Sequence, residues 1–145
     1  LAGALPLSPM DHHAPDAGTP ALLLLAHGAR DPRWAEPFER VVGRLRAARP
    51  AGAVELAFLE FMTPDLLAAG RRLAQAGCDR VEVVPLFLGM GGHVRNQVPA
   101  LVEQLAQENP AVRWTLQPTI GEADAVIAAI AGEALRRLDA ARAAE

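Results

Sequence analysis

Four short apolar runs, each followed by a segment of helical character, constrain the fold of this chain more than any other feature. The runs are 21–26 (ALLLLA), 54–59 (VELAFL), 81–88 (VEVVPLFL) and 112–116 (VRWTL). Apolar runs of this length, bounded by glycine, proline and polar residues, are typical of buried strands. Their alternation with helices is typical of an α/β domain with a parallel sheet. We therefore predict a βαβαβαβα order, with right-handed crossovers and a four-stranded parallel sheet flanked by helices.

The intervening segments have the apolar spacing and end signals of helices. We predict helices over 34–48, 64–76, 96–108 and 123–140. Thr63 is expected to cap the second helix, with Pro64 at its first position. The apolar residues of the last helix are expected to pack on the sheet, namely Val126, Ile127, Ile130 and Leu135.

Pro85 lies inside the third apolar run. A proline has no N–H to donate to a strand ladder. The third strand is therefore expected to end near Val84 or to bend there. The glycine-rich segment 89–93 that follows is predicted to be a loop.

The composition narrows the class of protein. The chain has 145 residues, of which 51% are hydrophobic and only 4% aromatic, which predicts one domain with an aliphatic core. No apolar run approaches the ~20 residues of a membrane span. A net charge of −3 provides no overall basic field for nucleic acid. The single cysteine, Cys78, suits a reducing cytoplasm and is interpreted as a small buried filler.

The first twenty residues differ from the rest of the chain. They hold four of the twelve prolines and have no apolar periodicity, so we predict a flexible tail over 1–20 and one domain over 21–145. The segment lacks the basic start and the continuous apolar stretch of a signal peptide. His12 and His13 fall within it and are interpreted as a solvated pair rather than a metal site.

Three residues suited to metal binding or proton transfer follow the first three runs: His27, Glu60 and His93. The carboxyl ends of parallel strands meet at one edge of a sheet, where ligands bind, so we predict a shared site. Neutral imidazole binds divalent cobalt, iron, nickel and zinc, and two or three protein ligands leave coordination positions open, as in catalytic sites. A partly desolvated Glu60 would suit proton acceptance. The alternative is that His27 is a turn residue and His93 a solvated loop residue.

Three arginines lie within a few residues of the two histidines: Arg30, Arg33 and Arg95. Arginine binds carboxylates through two parallel hydrogen bonds, so the site would suit a polyanionic organic ligand. The alternative is a solvated surface charge, which is favoured for Arg33. The chain has no Walker-type loop and no G-x-G-x-x-G after the first strand, so ATP and NAD are not indicated.

Three segments together resemble a known family. LLLLAHGARDPR (22–33), VELAFLEFMTP (54–64) and VEVVPLFLGMGGHVRNQVP (81–99) are similar to the class II tetrapyrrole chelatases, and most similar to the short CbiX-type sirohydrochlorin chelatases. The resemblance covers about residues 21–135. It rests on HG-x-R-D, FLE-x-x-x-P and PLFL-x-x-GGHV-x-x-x-x-P in the order and spacing of the family.

The resemblance implies a chelatase-like half-domain that inserts a divalent metal into a tetrapyrrole without ATP. It implies metal binding by His27 and His93, with Glu60 or a histidine accepting the pyrrole protons. The implied substrate-binding residues are Arg30, Arg95, Gly91, Gly92 and Leu88. Leu86, Phe87 and Met90 are further expected to contact the macrocycle.

A half-length chain further implies a homodimer with the cleft between its subunits. An apolar interface is expected near Met62–Leu67 or Leu86–Met90. Co²⁺ is favoured as the metal substrate, with Fe²⁺ or Ni²⁺ as alternatives, in cobalamin or siroheme biosynthesis. Two other classes of protein stay open, a non-catalytic metal or tetrapyrrole carrier and, more remotely, a flavodoxin-like regulatory module.

Overall fold

The computed structural model describes residues 19–145, which contain a four-stranded parallel sheet with strand order β2-β1-β3-β4. The strands are β1 (Ala21–Ala26), β2 (Val54–Phe58), β3 (Arg80–Pro85) and β4 (Arg113–Leu116). The predicted α/β class and the parallel sheet are confirmed. Almost all of the predicted tail lies outside the described residues, as do His12 and His13.

Four helices follow the four strands, so the predicted order of elements is also confirmed. They are α1 (Glu36–Ala48), α2 (Leu66–Gln75), α3 (Gly92–Glu108) and α4 (Asp124–Ala143). Short 3₁₀ turns precede α1 and α4, at Pro32–Ala35 and Ile120–Glu122. None of the helices in the described part of the chain has the length and apolarity to cross a membrane.

One face of the sheet is covered by α2 and α3 and carries the main core. The side chains of β3 show this by their alternation, because Val81, Val83 and Pro85 are buried while the residues between them are only partly buried. Leu66 and Leu105 are fully buried contributions from the two helices. Burial of apolar side chains of this size stabilises the fold by about 1.5–3 kcal/mol each.

Cys78 belongs to the same core and is 5% exposed. Burial raises the pKa of its thiol, and the carboxylates of Asp79 and Glu55 add to the increase. A buried thiol that stays protonated is a poor nucleophile. The interpretation of Cys78 as a small buried filler is therefore confirmed.

The opposite face is covered over its β1 and β2 half, where Val42 of α1 packs with Leu24 and Val54. The prediction that α4 packs on this sheet is wrong, because α4 has no buried residue. Its main contacts are with the 3₁₀ turn that precedes it. The helix periodicity of α4 was predicted correctly, but periodicity does not say which surface an apolar side meets.

Two helix starts differ from their predictions. Thr63 does not cap α2, because the helix begins at Leu66 and the carboxylate of Asp65 accepts the N–H of Ala68 at 2.8 Å. An aspartate in extended conformation just before a helix is a strong N-cap. The α3 helix begins at Gly92 rather than residue 96, so His93 lies in a first helical turn instead of a loop.

The prediction for Pro85 is confirmed, since β3 ends there. The pairing of β3 with β4 ends at Val83 and Leu116. Two residues beyond Val83, Pro85 has no N–H with which the ladder could continue. The chain then turns across the carboxyl edge of the sheet, where its side chains can contribute to a binding site.

Candidate functional site

The segments that follow β1, β2 and β3 meet at the carboxyl edge of the sheet, and we call residues 27–33, 59–65 and 86–95 the rim. His27 is the first residue of the rim and is half-buried. Its ring lies against Phe87, with ring centroids 4.2 Å apart and planes inclined by 33°. Its carbonyl accepts the N–H of Glu60 at 3.0 Å. This bond uses only the main chain of His27, and within residues 19–145 neither imidazole nitrogen has a hydrogen-bond partner.

Gly28 allows the first two rim segments to come this close. Its φ is +89°, a conformation that L side chains rarely adopt, and a Cβ there would clash with the carbonyl oxygen of Glu60. The glycine of the HG-x-R-D motif is therefore required by the backbone geometry between His27 and Glu60.

The side chain of Glu60 is exposed, which contradicts the expectation that apolar neighbours partly desolvate it. The apolar residues on either side of it, Leu59 and Phe61, do not enclose it. Leu59 packs against the core, while Phe61 has a φ of 65° and is 59% exposed. The carboxylate consequently stands at the rim in contact with solvent.

Phe61 has a role that sequence reasoning missed. The guanidinium of Arg30 lies over its ring, 5.0 Å from the centroid. A cation over an aromatic face is attracted by about 0.5–1 kcal/mol at an exposed position. This contact holds Arg30 at the rim, whereas Arg33 is paired with Asp31 at 3.0 Å and is 83% exposed.

The Arg33 hydrogen bonds lower the pKa of the Asp31 carboxyl. Asp31 in turn caps the 3₁₀ turn that leads into α1 by accepting the N–H of Arg33. Arg33 is therefore engaged in local structure, in agreement with the expectation that it is a surface charge.

A second group that sequence reasoning missed braces the third rim segment. The carbonyl of Phe87 accepts two hydrogen bonds from the chain after β4, from the Thr119 hydroxyl at 2.6 Å and from the Gly121 N–H at 2.9 Å. Thr119 is 4% exposed and Phe87 is 3% exposed. A threonine and a glycine three and five residues after the end of the fourth strand were a usable signal, because that strand ends at the same edge as the others.

Of the four apolar residues expected to contact a macrocycle, Leu88 is 70% exposed while Phe87 is buried. Leu86 and Met90 are partly buried and pack against the two faces of the sheet. The expectation is therefore wrong for Phe87, which supports His27 instead. Gly91 and Gly92 border open space, since an added Cβ would meet no atom of the described chain within 4 Å.

His93 and Arg95 lie in the first turn of α3, and both are exposed. The Arg95 N–H donates to the carbonyl of Gly91 at 2.9 Å, and its guanidinium lies 3.5 Å from the carbonyl of Met90. Since β1 and β3 are neighbours in the sheet, His27 and His93 follow adjacent strands onto the same edge. Within residues 19–145, no three His, Cys, Asp or Glu side chains are grouped so that they could hold a metal ion. A metal role for the two histidines stays a prediction.

Comparison with known proteins identifies a family whose profile spans the rim motifs of this chain. The CbiX family profile matches residues 21–137. The chain belongs to the CbiX family. The resemblance that the rim motifs indicated is thereby confirmed.

Several sequence relatives carry the name sirohydrochlorin cobaltochelatase. The protein from Methanopyrus kandleri is 29% identical over 82 residues, which is 57% of this chain and 57% of the relative. The protein from Saccharolobus solfataricus is 35% identical over 81 residues, which is 56% of this chain and 62% of the relative. The matched part thus spans little more than half of these relatives.

Solved structures share the fold. A CbiX protein from Marinobacter aquaeolei, named for cobalamin biosynthesis, has a TM-score of 0.73 and 33% identity, covering 82% of this chain and 97% of that one. The sirohydrochlorin chelatase SirB from Bacillus subtilis in complex with cobalt has a TM-score of 0.69 at 24% identity. That match covers 79% of this chain but 49% of SirB.

Proposed function

We propose that this CbiX-family chain inserts Co²⁺ into sirohydrochlorin without ATP, acting as a homodimer in the cytoplasm. The observation that carries the proposal is the braced imidazole of His27, which lies at the rim within the stretch that matches the family. Relatives named sirohydrochlorin cobaltochelatase support the choice of cobalt as the metal and of sirohydrochlorin as its acceptor. In the reaction the macrocycle gives up two N–H protons and takes up one divalent cation. The site must therefore deliver a cation and receive protons.

Metal delivery is assigned to His27 and His93. Contact with Phe87 fixes the orientation of the His27 ring, and His93 extends from the first turn of α3. Two imidazoles leave coordination positions open on a divalent cation, as in catalytic rather than structural sites. The ring nitrogens of the substrate take these positions as the metal is transferred.

Proton acceptance is assigned to Glu60. Its backbone is fixed to the carbonyl of His27 by a 3.0 Å hydrogen bond, so its carboxylate belongs to the same part of the rim as the proposed metal ligand. Its exposure lets it pass protons on to water. Positioned proton acceptors of this kind contribute roughly 100-fold or more to rate.

Substrate binding is assigned to the exposed parts of the rim. Arg30, held over Phe61, and Arg95 would bind the peripheral carboxylates of sirohydrochlorin. Leu88 offers an apolar contact to the face of the macrocycle. Gly91 and Gly92 leave open space in which the ring is accommodated without a side-chain clash.

The homodimer is proposed to provide the second wall of the cleft. The match to SirB, which shares the fold, covers 79% of this chain and 49% of that chain. We propose that a second copy of this chain faces the rim. The rim of each copy would then border one shared cleft.

The test is an anaerobic absorbance assay of metal insertion into sirohydrochlorin without ATP, with Co²⁺, Fe²⁺ and Ni²⁺ in turn. We expect the fastest insertion with Co²⁺, and a His27→Ala, His93→Ala double variant should fall to the uncatalysed rate. A His12→Ala, His13→Ala double variant makes the same chemical change at the two histidines that are not assigned to the site and should keep full activity.

Glu60→Gln separates a chelatase from a carrier. In a chelatase this variant should bind metal and macrocycle normally, while turnover falls roughly 100-fold. A silent Glu60→Gln variant together with tight metal retention would indicate a carrier. A folded protein that binds sirohydrochlorin but accelerates insertion of none of the three metals would refute the proposal.

A further inference from the structure

The helix α4 presents an exposed apolar side that nothing in the described part of the chain covers. Four large residues are at least half exposed, namely Ile127 at 52%, Ile130 at 50%, Leu135 at 61% and Leu138 at 54%. Ile127, Ala131, Ala134 and Leu138 follow a spacing of four, three and four residues and share one side of the helix. Exposed apolar surfaces of this kind mark sites of association.

Within residues 19–145, the chain also leaves a groove on its sheet uncovered. The groove lies on the α1 face, beside the half that α1 covers, and is lined by Leu22, Val84, Pro118 and Ile120 together with Glu82 and Gln117. The side chains of β3 that point to this face are only partly buried. In an α/β sheet such a face is normally covered by a helix.

The α4 helix of the same copy cannot reach this groove without breaking the structure at its own start. The 3₁₀ turn before it is tied to the rim, because the Gly121 N–H donates to Phe87 and a Cβ at Gly121 would clash with the backbone of Leu88. A single residue, Ala123, separates this turn from α4, and its carbonyl accepts the N–H groups of Val126 and Ile127. The direction of α4 is therefore fixed by the rim.

We propose that α4 of each copy covers the sheet groove of the other copy in a two-fold symmetric dimer. This inference rests on the homodimer of the proposed function and specifies its surfaces. Each copy has one α4 side and one groove to cover. If each α4 lies in the groove of the other copy, all four surfaces are covered and the assembly closes at two copies.

The area of the two surfaces is consistent with a stable dimer. A 20-residue helix is about 30 Å long, and laying one side of it on a sheet removes roughly 600 Å² from the two surfaces together. Two reciprocal contacts remove roughly 1,200 Å², the lower end of the range for specific stable interfaces. The carboxylates of Glu82 and Glu122 line the groove, where Gln117 donates a hydrogen bond to Glu82. On α4, Arg137 borders the apolar side together with its ion-pair partner Glu133.

Disulfide trapping distinguishes this arrangement from its alternatives. One chain carries Gln117→Cys in the groove, and a second, differently tagged chain carries cysteine on α4 at Ala131, Ala134 or Leu138 in turn. After mixing and mild oxidation, we expect a disulfide between the two chains for at least one α4 position. The unsubstituted chain should form none, because Cys78 is buried.

Oligomeric state gives an independent readout. Ile127→Asp with Leu138→Asp should convert the dimer to a monomer by light scattering while the circular dichroism of the fold is retained. Ala129→Asp with Ala140→Asp places the same charges on the opposite side of α4 and should leave the dimer intact.

Each other result would overturn the exchange. A disulfide within one chain carrying Gln117→Cys and an α4 cysteine would mean that α4 folds back on its own sheet. Disulfides between α4 cysteines alone would mean that the two helices pair with each other, and a monomeric unsubstituted chain would leave the groove to another occupant. These readouts do not use metal insertion, so an exchanged dimer without chelatase activity would refute the proposed function and not this inference.

Discussion

The imidazole of His27 lies against the ring of Phe87, with centroids 4.2 Å apart, and Phe87 is in turn held through its carbonyl by Thr119 and Gly121. The proposed metal ligand is thus supported from behind by a buried residue that does not reach the solvent. Phe87 acts as a positioning residue for His27, since a ring packed on one side has few orientations left.

Phe87→Leu tests this support. The fold should be retained, because a buried apolar side chain is replaced by a smaller apolar one and single substitutions typically cost about 0.5–3 kcal/mol. The kcat of metal insertion should fall by roughly 10-fold with little change in KM, since misplacement of a reacting group costs rate rather than binding. Phe38→Leu on α1 is the matched control and should leave kcat unchanged. An equal loss of kcat in both variants would reduce Phe87 to a general stability role.

Gly28→Ala should destabilise the protein, because it combines a φ of +89° with a clash against the carbonyl of Glu60. Backbone strain of this kind costs about 1–3 kcal/mol, which urea unfolding measures directly. Gly43 in α1 is the control: a Cβ there meets nothing, so Gly43→Ala should stabilise the helix by up to about 1 kcal/mol. A neutral Gly28→Ala would contradict the close approach of the first two rim segments.

Two substitutions distinguish the cap of α2 from the one that the sequence predicted. Asp65→Ala removes the acceptor of the Ala68 N–H and should lower the free energy of unfolding by about 1 kcal/mol. Thr63→Ala should cost less than about 0.5 kcal/mol, because Thr63 is exposed and makes no cap bond. The reverse order of the two effects in thermal unfolding would place the helix start at Pro64.

A surface pair that joins α2 to α3 predicts an acid-dependent change in stability. Arg71 donates two hydrogen bonds to Glu108, at 2.8 and 2.7 Å, and together with Gln104 lowers the pKa of Glu108 to about 2. The folded pKa lies below the unfolded value of about 4.3, so the stabilisation is complete above that value. It is lost as the pH falls toward about 2.

The stability difference between the unsubstituted protein and Arg71→Gln should therefore be present at pH 6 and shrink as the pH falls from about 4 to 2. NMR titration of the Glu108 carboxyl carbon should give a raised pKa in the variant. Arg40→Gln, at an exposed position of α1, serves as the control and should leave the Glu108 titration unchanged. A Glu108 pKa that does not respond to Arg71→Gln would exclude the pair as its cause.

The order of elements could be predicted because each apolar run has the length and the boundaries of a buried strand, as β1 illustrates from Ala21 to Ala26. Helix starts were less predictable. Thr63 and Asp65 are both good cap residues, and the choice between them depends on how the chain leaves β2. The start of α3 was missed because glycines at 91 and 92 are unfavourable in helices in isolation.

The location of the candidate residues on one edge of the sheet could be predicted from the parallel direction of the strands. The surroundings of their side chains could not. Glu60 has apolar neighbours in sequence, yet Phe61 turns outward with a positive φ and leaves the carboxylate exposed. The support of His27 by Phe87 is a contact between different strands, which no local pattern encodes. The uncovered side of α4 was missed for the same reason, because its apolar spacing is equally suited to a sheet or to another molecule.

Phe87 contacts both the segment that leads into α4 and the imidazole of His27. The carbonyl of Phe87 accepts hydrogen bonds from Thr119 and Gly121, which precede α4. The ring of the same residue packs against the imidazole of His27. A pull on α4 is therefore transmitted over two hydrogen bonds to the rim. In a dimer in which α4 docks on a neighbouring copy, formation of the interface would therefore load the two hydrogen bonds that hold Phe87 behind the imidazole of His27.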